Sequence, residues 1–83
     1  MEKTIHTEHG ELISQVLVKM RKEAGLTQRE LAHRLDREHS FVAHCELGER
    51  RVDLAEFHWI CQACGAQSQK EASNLMKAFS KLE

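Results

Sequence analysis

The chain has 83 residues and a formal net charge of −1, with no proline and only four glycines. A chain of this length forms one domain with a small core, and the scarcity of helix-breaking residues favours helices over strands. No segment contains the roughly 20 consecutive apolar residues that a membrane-spanning helix requires, so we predict a cytoplasmic protein with no membrane partner and three reduced cysteines.

The N-terminal stretch contains no apolar run. Residues 1–10 are predicted to form a flexible arm that is neither a secretory signal nor a membrane anchor. From Glu11 to Ala24 apolar residues recur every three or four positions, which predicts a first helix that ends at Gly25. The apolar face of this helix consists of Ile13, Val16, Leu17, Met20 and Ala24.

A capping box marks the start of the second helix. The Thr27 hydroxyl can accept a hydrogen bond from the amide of Glu30, while the Glu30 carboxylate accepts one from the amide of Thr27. Leu26 and Leu31 are placed to close over each other as a hydrophobic staple, which fixes the direction of the incoming chain. The apolar period continues to about Leu35, where we predict that this helix ends.

A third helix is predicted over residues 39–47, because three polar residues at 36–38 interrupt the apolar period and Gly48 provides a left-handed stop. Two short helices separated by so few residues are typical of a helix-turn-helix. At about 100° per residue, Val42 and Cys45 point towards the second helix, and the opposite side is polar. That outward polar edge consists of His39, Ser40 and His44.

Positive charge is concentrated in the same part of the chain. Residues 19–51 contain eight basic and six acidic side chains, although the whole chain is slightly acidic. Because phosphate contacts supply much of the affinity for nucleic acid, this distribution is compatible with weak, salt-dependent binding to DNA.

Asp53 and Glu56 repeat the capping-box pattern and open a fourth helix that runs to Cys64 and Gly65. Trp59 falls outside the apolar stripe of this helix, and an exposed tryptophan commonly marks a contact surface. The predicted inward stripe consists of Leu54, Phe57, Ile60, Cys61 and Cys64.

Residues 67–82 are predicted to form a fifth helix, whose apolar stripe either folds back on the domain or joins a second copy of the chain. Trp59, which we expect to be exposed, lies shortly before this helix in the sequence. We therefore predict that the stripe joins a second copy of the chain in a homodimer. The predicted organisation is therefore an arm at 1–10, a helix-turn-helix domain at 11–66 and a C-terminal dimerisation helix at 67–83. The stripe of the fifth helix consists of Ala72, Leu75, Met76, Phe79 and Leu82.

The second and third helices and the loop after them contain four runs with a recognisable spacing. These runs are Thr27-Gln28, Glu30-Leu31-Ala32, His39-Ser40-Phe41-Val42 and Glu46-Leu47-Gly48-Glu49-Arg50-Arg51. They resemble the helix-turn-helix of lambda-repressor-like DNA-binding proteins of the Cro/cI type, also called the XRE family, and the resemblance extends from about Ile13 to Gly65. It implies an all-α fold, a lambda-repressor-like DNA-binding domain of about five helices.

The resemblance also implies a role for each site residue. Gln28, the first residue of helix two, matches a residue that contacts a phosphate and supports the third helix. The outward polar edge of helix three matches the base-contacting positions, and Leu47 and the arginines after it lie where the family contacts the DNA backbone. The predicted DNA-binding residues are thus Gln28, His39, Ser40, His44, Arg50 and Arg51.

Some features weaken these assignments. The alternative for the two histidines of the polar edge is that they are solvated surface residues, but the resemblance favours contact with DNA. The adjacent arginines can equally pair with Glu46 or Glu49 on the protein surface. We favour DNA for the arginines, because two of them at a helix end are hard to pair internally. Asp36 replaces a glycine that the family often has in the turn, and three further positions replace polar or basic residues, namely Ala43, His44 and Leu47.

A histidine and two cysteines spaced three residues apart on the fourth helix suggest zinc binding or a thiol switch. They are His58, Cys61 and Cys64. Both cysteines fall at apolar core positions, however, where a free cysteine packs as a small hydrophobic side chain. Zinc also prefers four converging ligands, so we predict core packing and no metal or other cofactor.

No nucleophile with a base, glycine-rich phosphate loop or inward pair of carboxylates is apparent, so we predict that the protein is not an enzyme. The leading hypothesis is a sequence-specific transcriptional regulator, a repressor that binds double-stranded DNA as a homodimer on a palindromic operator, with no small-molecule ligand. The alternative is a protein-interaction module, antitoxin-like or adaptor, that retains the fold and binds its partner through Trp59 and the last helix.

Overall fold

The computed structural model describes residues 7–83. Within this range the chain forms five helices and no strand, which confirms the all-α prediction. None of these helices is long and apolar enough to cross a membrane. In chain order they are α1 Glu8–Glu23, α2 Gln28–Arg34, α3 Ser40–Glu46, α4 Leu54–Ala63 and α5 Ser68–Ser80.

The first helix begins three residues earlier than predicted. The Thr7 hydroxyl accepts a hydrogen bond from the amide of Gly10 at 3.1 Å, so Thr7 caps the helix and Glu8 is its first residue. His9 packs edge-on against Phe79 of α5, with the ring centres 4.9 Å apart. Residues 8–10 therefore belong to the packed domain and not to an arm, while the rest of the predicted arm, residues 1–6, lies outside the described residues.

Both predicted capping boxes are confirmed. At the start of α2, the Glu30 amide donates to the Thr27 hydroxyl at 3.0 Å, and the Thr27 amide donates to the Glu30 carboxylate at 2.8 Å. The same reciprocal pair joins Asp53 and Glu56 at the start of α4, at 2.8 and 3.1 Å. These local signals fix where α2 and α4 begin.

The turn between α2 and α3 closes without a glycine. Asp36 has a φ of 58°, in the left-handed region that aspartate tolerates better than most residues. The Arg37 amide then donates to the carbonyl of Ala32 at 2.9 Å, which completes the turn. After α3, Gly48 has a φ of 77° and ends the helix as predicted.

One core lies between the helices. α2 and α3 pack on each other, α3 also packs on α1, and α5 packs on both α1 and α4. Three side chains are almost completely enclosed, namely Leu17 from α1, Leu31 from α2 and Cys61 from α4. The partly buried Leu26 also packs against this core, while its predicted contact with Leu31 stays a prediction.

The apolar stripes of α4 and α5 are only partly buried. Leu54 was predicted to face inwards, and this is wrong, because it is 79% exposed at the first turn of α4. In α5, Leu75 is buried, whereas Met76 is 52% exposed. The last helix therefore folds back on the domain with one side and leaves apolar surface on another. Trp59 is 55% exposed, which confirms its predicted place outside the core.

Candidate nucleic-acid interface

The outward face of α3 presents the predicted base-contacting side chains to solvent. His39, Ser40 and His44 are all exposed, so the predicted outward edge is confirmed, while contact with bases stays a prediction. His44 Nε2 lies 4.0 Å from a carboxylate oxygen of Glu49, and both side chains are about half exposed. The opposite, buried side of α3 consists of Phe41, Val42 and Cys45.

Glu46, the last residue of α3, ties this helix to α1. Arg21 Nε donates to Glu46 Oε2 at 2.7 Å, and Arg21 Nη2 donates to Oε1 at 3.1 Å. The side chains of Arg21 and Glu46 are only 13% and 6% exposed, so solvent screens the pair weakly. The hydrogen bond to Glu46 raises the pKa of Arg21 above its usual value, which keeps the guanidinium charged.

The same carboxylate reaches the second helix. Gln28 Nε2 donates to Glu46 Oε1 at 2.9 Å, and Arg21 Nη1 donates to the carbonyl of Leu26, just before α2, at 2.9 Å. Gln28 thus contacts α3, as the resemblance implies. A side-chain amide nitrogen has two hydrogens, so Gln28 can donate to Glu46 and to a second acceptor at once. Its contact with a phosphate stays a prediction.

The two adjacent arginines after α3 differ in their surroundings. Arg50 Nη1 and Nη2 donate to the two carboxylate oxygens of Glu56 at 3.1 and 2.8 Å. The expectation that Arg50 is hard to pair internally is therefore wrong, because α4 provides a carboxylate opposite its forked donors. Arg51 is exposed, and its contact with DNA stays a prediction.

Glu56 also collects contacts from the turn before α3. Arg37 Nη1 lies 3.7 Å from Glu56 Oε2, and the guanidinium carbons of Arg37 and Arg50 lie 3.9 and 5.0 Å from the centre of the Phe41 ring. Glu56 is only 8% exposed. This buried carboxylate therefore connects the segments at both ends of α3 to α4.

The histidine and cysteines of α4 do not converge. Cys61 is completely buried, with its Sγ 3.7 Å from Sδ of Met20, whereas the exposed His58 places Nδ1 2.8 Å from the Ser68 hydroxyl. Burial raises the pKa of the Cys61 thiol to about 11 and also raises that of Cys64, which keeps both thiols protonated at neutral pH. Between residues 7 and 83 no three histidine, cysteine, aspartate or glutamate side chains are grouped to hold a metal ion.

Sequence and structure comparisons agree on the kind of domain. Residues 13–75 match the family model for a helix-turn-helix domain. An XRE-family like protein from Pseudomonas syringae pv. tomato str. DC3000 is similar in structure, with a TM-score of 0.82 and 38% identity over 89% of this chain and 90% of that chain. Among curated proteins, none is a significant sequence match.

Two more distant structures share the fold. The clp gene regulator ClgR from C. glutamicum has a TM-score of 0.74 and 22% identity, over 88% of this chain and 95% of that chain. The restriction-modification controller protein C.Esp1396I, as a tetramer in complex with its natural 35 base-pair operator, has a TM-score of 0.76 and 21% identity, over 87% of this chain and 95% of that chain. At these identities the similarity extends to the fold alone.

Proposed function

This chain belongs to the XRE family of helix-turn-helix DNA-binding proteins, and we propose that it regulates transcription by placing α3 in the major groove of a specific DNA sequence. The observation that supports this proposal is the exposed edge of His39, Ser40 and His44 on a helix that Glu46 fixes to its neighbours. Imidazole and hydroxyl groups can donate to and accept from base edges. A rigidly held helix presents them in one geometry.

Phosphate contacts would orient this helix on the duplex. In the proposal Gln28 donates to one phosphate from the start of α2, while Arg51 and Arg50 contact the backbone beside the end of α3. Arg50 would exchange its contacts with both oxygens of Glu56 for this contact with the backbone. Such contacts set the register and carry no sequence information themselves.

Selection of bound duplexes from a random-sequence pool at low salt tests the proposal. We expect the wild-type protein to enrich a motif with two-fold symmetry and half-sites about 10 base pairs apart. His39→Ala together with His44→Ala should weaken binding to that motif by at least about tenfold, since a good base contact contributes about 1–3 kcal/mol of discrimination.

The matched control is His58→Ala, which removes an exposed histidine on α4 and should leave the enriched motif unchanged. No enrichment above that of an unrelated protein would contradict the proposal. The fold would then act as a scaffold, and the protein-interaction hypothesis would take its place.

We further propose that the protein acts as a homodimer through the outer surfaces of α4 and α5. Exposed apolar side chains on these two packed helices, Leu54, Trp59 and Met76, support the proposal. Isolated exposed apolar residues are ordinary, but an exposed tryptophan is enriched at contact surfaces. A two-fold dimer matches a palindromic operator, and such a dimer can repress by occupying a promoter.

Sedimentation of the free protein tests this dimer. We expect Leu54→Arg to raise the dimer dissociation constant by at least tenfold, because it places a charge in the apolar surface. Leu47→Arg is the matched control, since Leu47 is a similarly exposed leucine on α3. A wild-type monomer at about 100 μM, or equal effects of both variants, would contradict the dimer. A monomer would favour a different protein as the occupant of this surface.

A further inference from the structure

A row of three side chains runs along the outward side of α3, and two of the three are apolar. Ala43 lies one turn after His39, and Leu47, the C-terminal cap of the helix, lies one turn after Ala43, so the three side chains stack along the helix. Ser40 and His44 form the neighbouring row. Ala43 is half-buried, while Leu47 is 66% exposed.

Leu47 cannot act as a phosphate ligand, although it lies where relatives contact the DNA backbone. A leucine side chain has no donor, so it offers a phosphate neither a hydrogen bond nor a charge. The shallow cleft beside it is lined by Glu11 from α1, whose carboxylate would repel a phosphate placed there. The chemistry of this position therefore favours an apolar partner.

We propose that Leu47, assisted by Ala43, is a specificity-determining residue that packs on the C5-methyl group of thymine. This inference rests on the proposed function, in which α3 enters the major groove. The thymine methyl is the apolar group that unmodified base pairs display in that groove, and alanine and other apolar side chains contact it. Ala43 and Leu47 lie beside the polar edge of the helix. When α3 enters the major groove, Ser40 and His44 therefore reach hydrogen-bonding groups of the bases, and Leu47 reaches a methyl group.

Deoxyuridine substitution isolates this contact, since it removes only the methyl group of a thymine. In the motif enriched by the wild-type protein, each thymine is replaced in turn, and the affinity ratio of the thymine to the deoxyuridine duplex is measured. We expect at least one position in each half-site with a ratio of about fourfold, the value for one buried methyl group. In Leu47→Ala this ratio should fall close to one at that position.

The control is Glu23→Ala, which truncates an exposed side chain of α1 that belongs to neither the proposed DNA surface nor the proposed dimer surface. Any general loss of affinity cancels in the ratio, so this variant should keep the fourfold effect. An enriched motif whose thymines all tolerate deoxyuridine, or a ratio unchanged in Leu47→Ala, overturns the inference while the proposed function stands. Absence of any enriched motif overturns both.

Discussion

Replacing Arg21 with alanine is expected to lower the free energy of unfolding by about 4 kcal/mol, because it leaves a buried carboxylate without its partner. Glu46 is 6% exposed and accepts two hydrogen bonds from Arg21, so truncation removes its main neutralising charge. A domain of this size has a total stability of only about 5–10 kcal/mol. Urea unfolding followed by circular dichroism measures the change.

The chain provides a matched control on the same helix. Lys19 also pairs with a carboxylate, Glu23 at 3.6 Å, but both side chains are largely exposed. Lys19→Ala should therefore change stability by less than about 0.5 kcal/mol. Arg21→Met combined with Glu46→Leu should cost less than Arg21→Ala, since no charge is left buried. If Arg21→Ala costs no more than Lys19→Ala, the pair between Arg21 and Glu46 does not anchor α3 to α1.

The sequence predicts best those features that depend on neighbouring residues. The capping boxes at Thr27 and Asp53 and the stop at Gly48 each use contacts within three or four residues, and the structure has all of them. The early start of α1 was missed, although Thr7 is an ordinary capping residue, because no apolar residue of the 8–10 segment continues the helical period.

Contacts between distant residues could not be predicted from spacing. Arg21 and Glu46 are 25 residues apart, and nothing local distinguishes Arg21 from the solvated Lys22 beside it. Leu54 shows a different kind of failure. It follows the apolar period of α4, but the buried part of the helix does not extend to its first turn, so Leu54 is exposed. A helical pattern gives the side on which a residue lies, but the reach of the neighbouring helix decides whether it is covered.

The second large effect is expected for Glu56→Ala, which should lower the free energy of unfolding by about 3 kcal/mol. The variant removes the carboxylate that accepts two hydrogen bonds from Arg50, and it also removes one half of the capping box with Asp53. Asp53→Ala removes only the other half of the box and should cost about 1 kcal/mol. The difference between the two variants measures the arginine contacts.

The difference in stability between Glu56→Ala and Asp53→Ala also decides whether Arg50 stays paired with Glu56 or contacts a phosphate. Glu49→Ala serves as the control for a carboxylate in the same loop, because Glu49 is 56% exposed and should contribute little. If Glu56→Ala costs no more than Asp53→Ala, the contacts with Arg50 add nothing to stability, and Arg50 is free to contact a phosphate in the bound state. If the difference reaches about 2 kcal/mol, moving Arg50 to a phosphate would forfeit that stabilisation, which argues against Arg50 as a phosphate ligand.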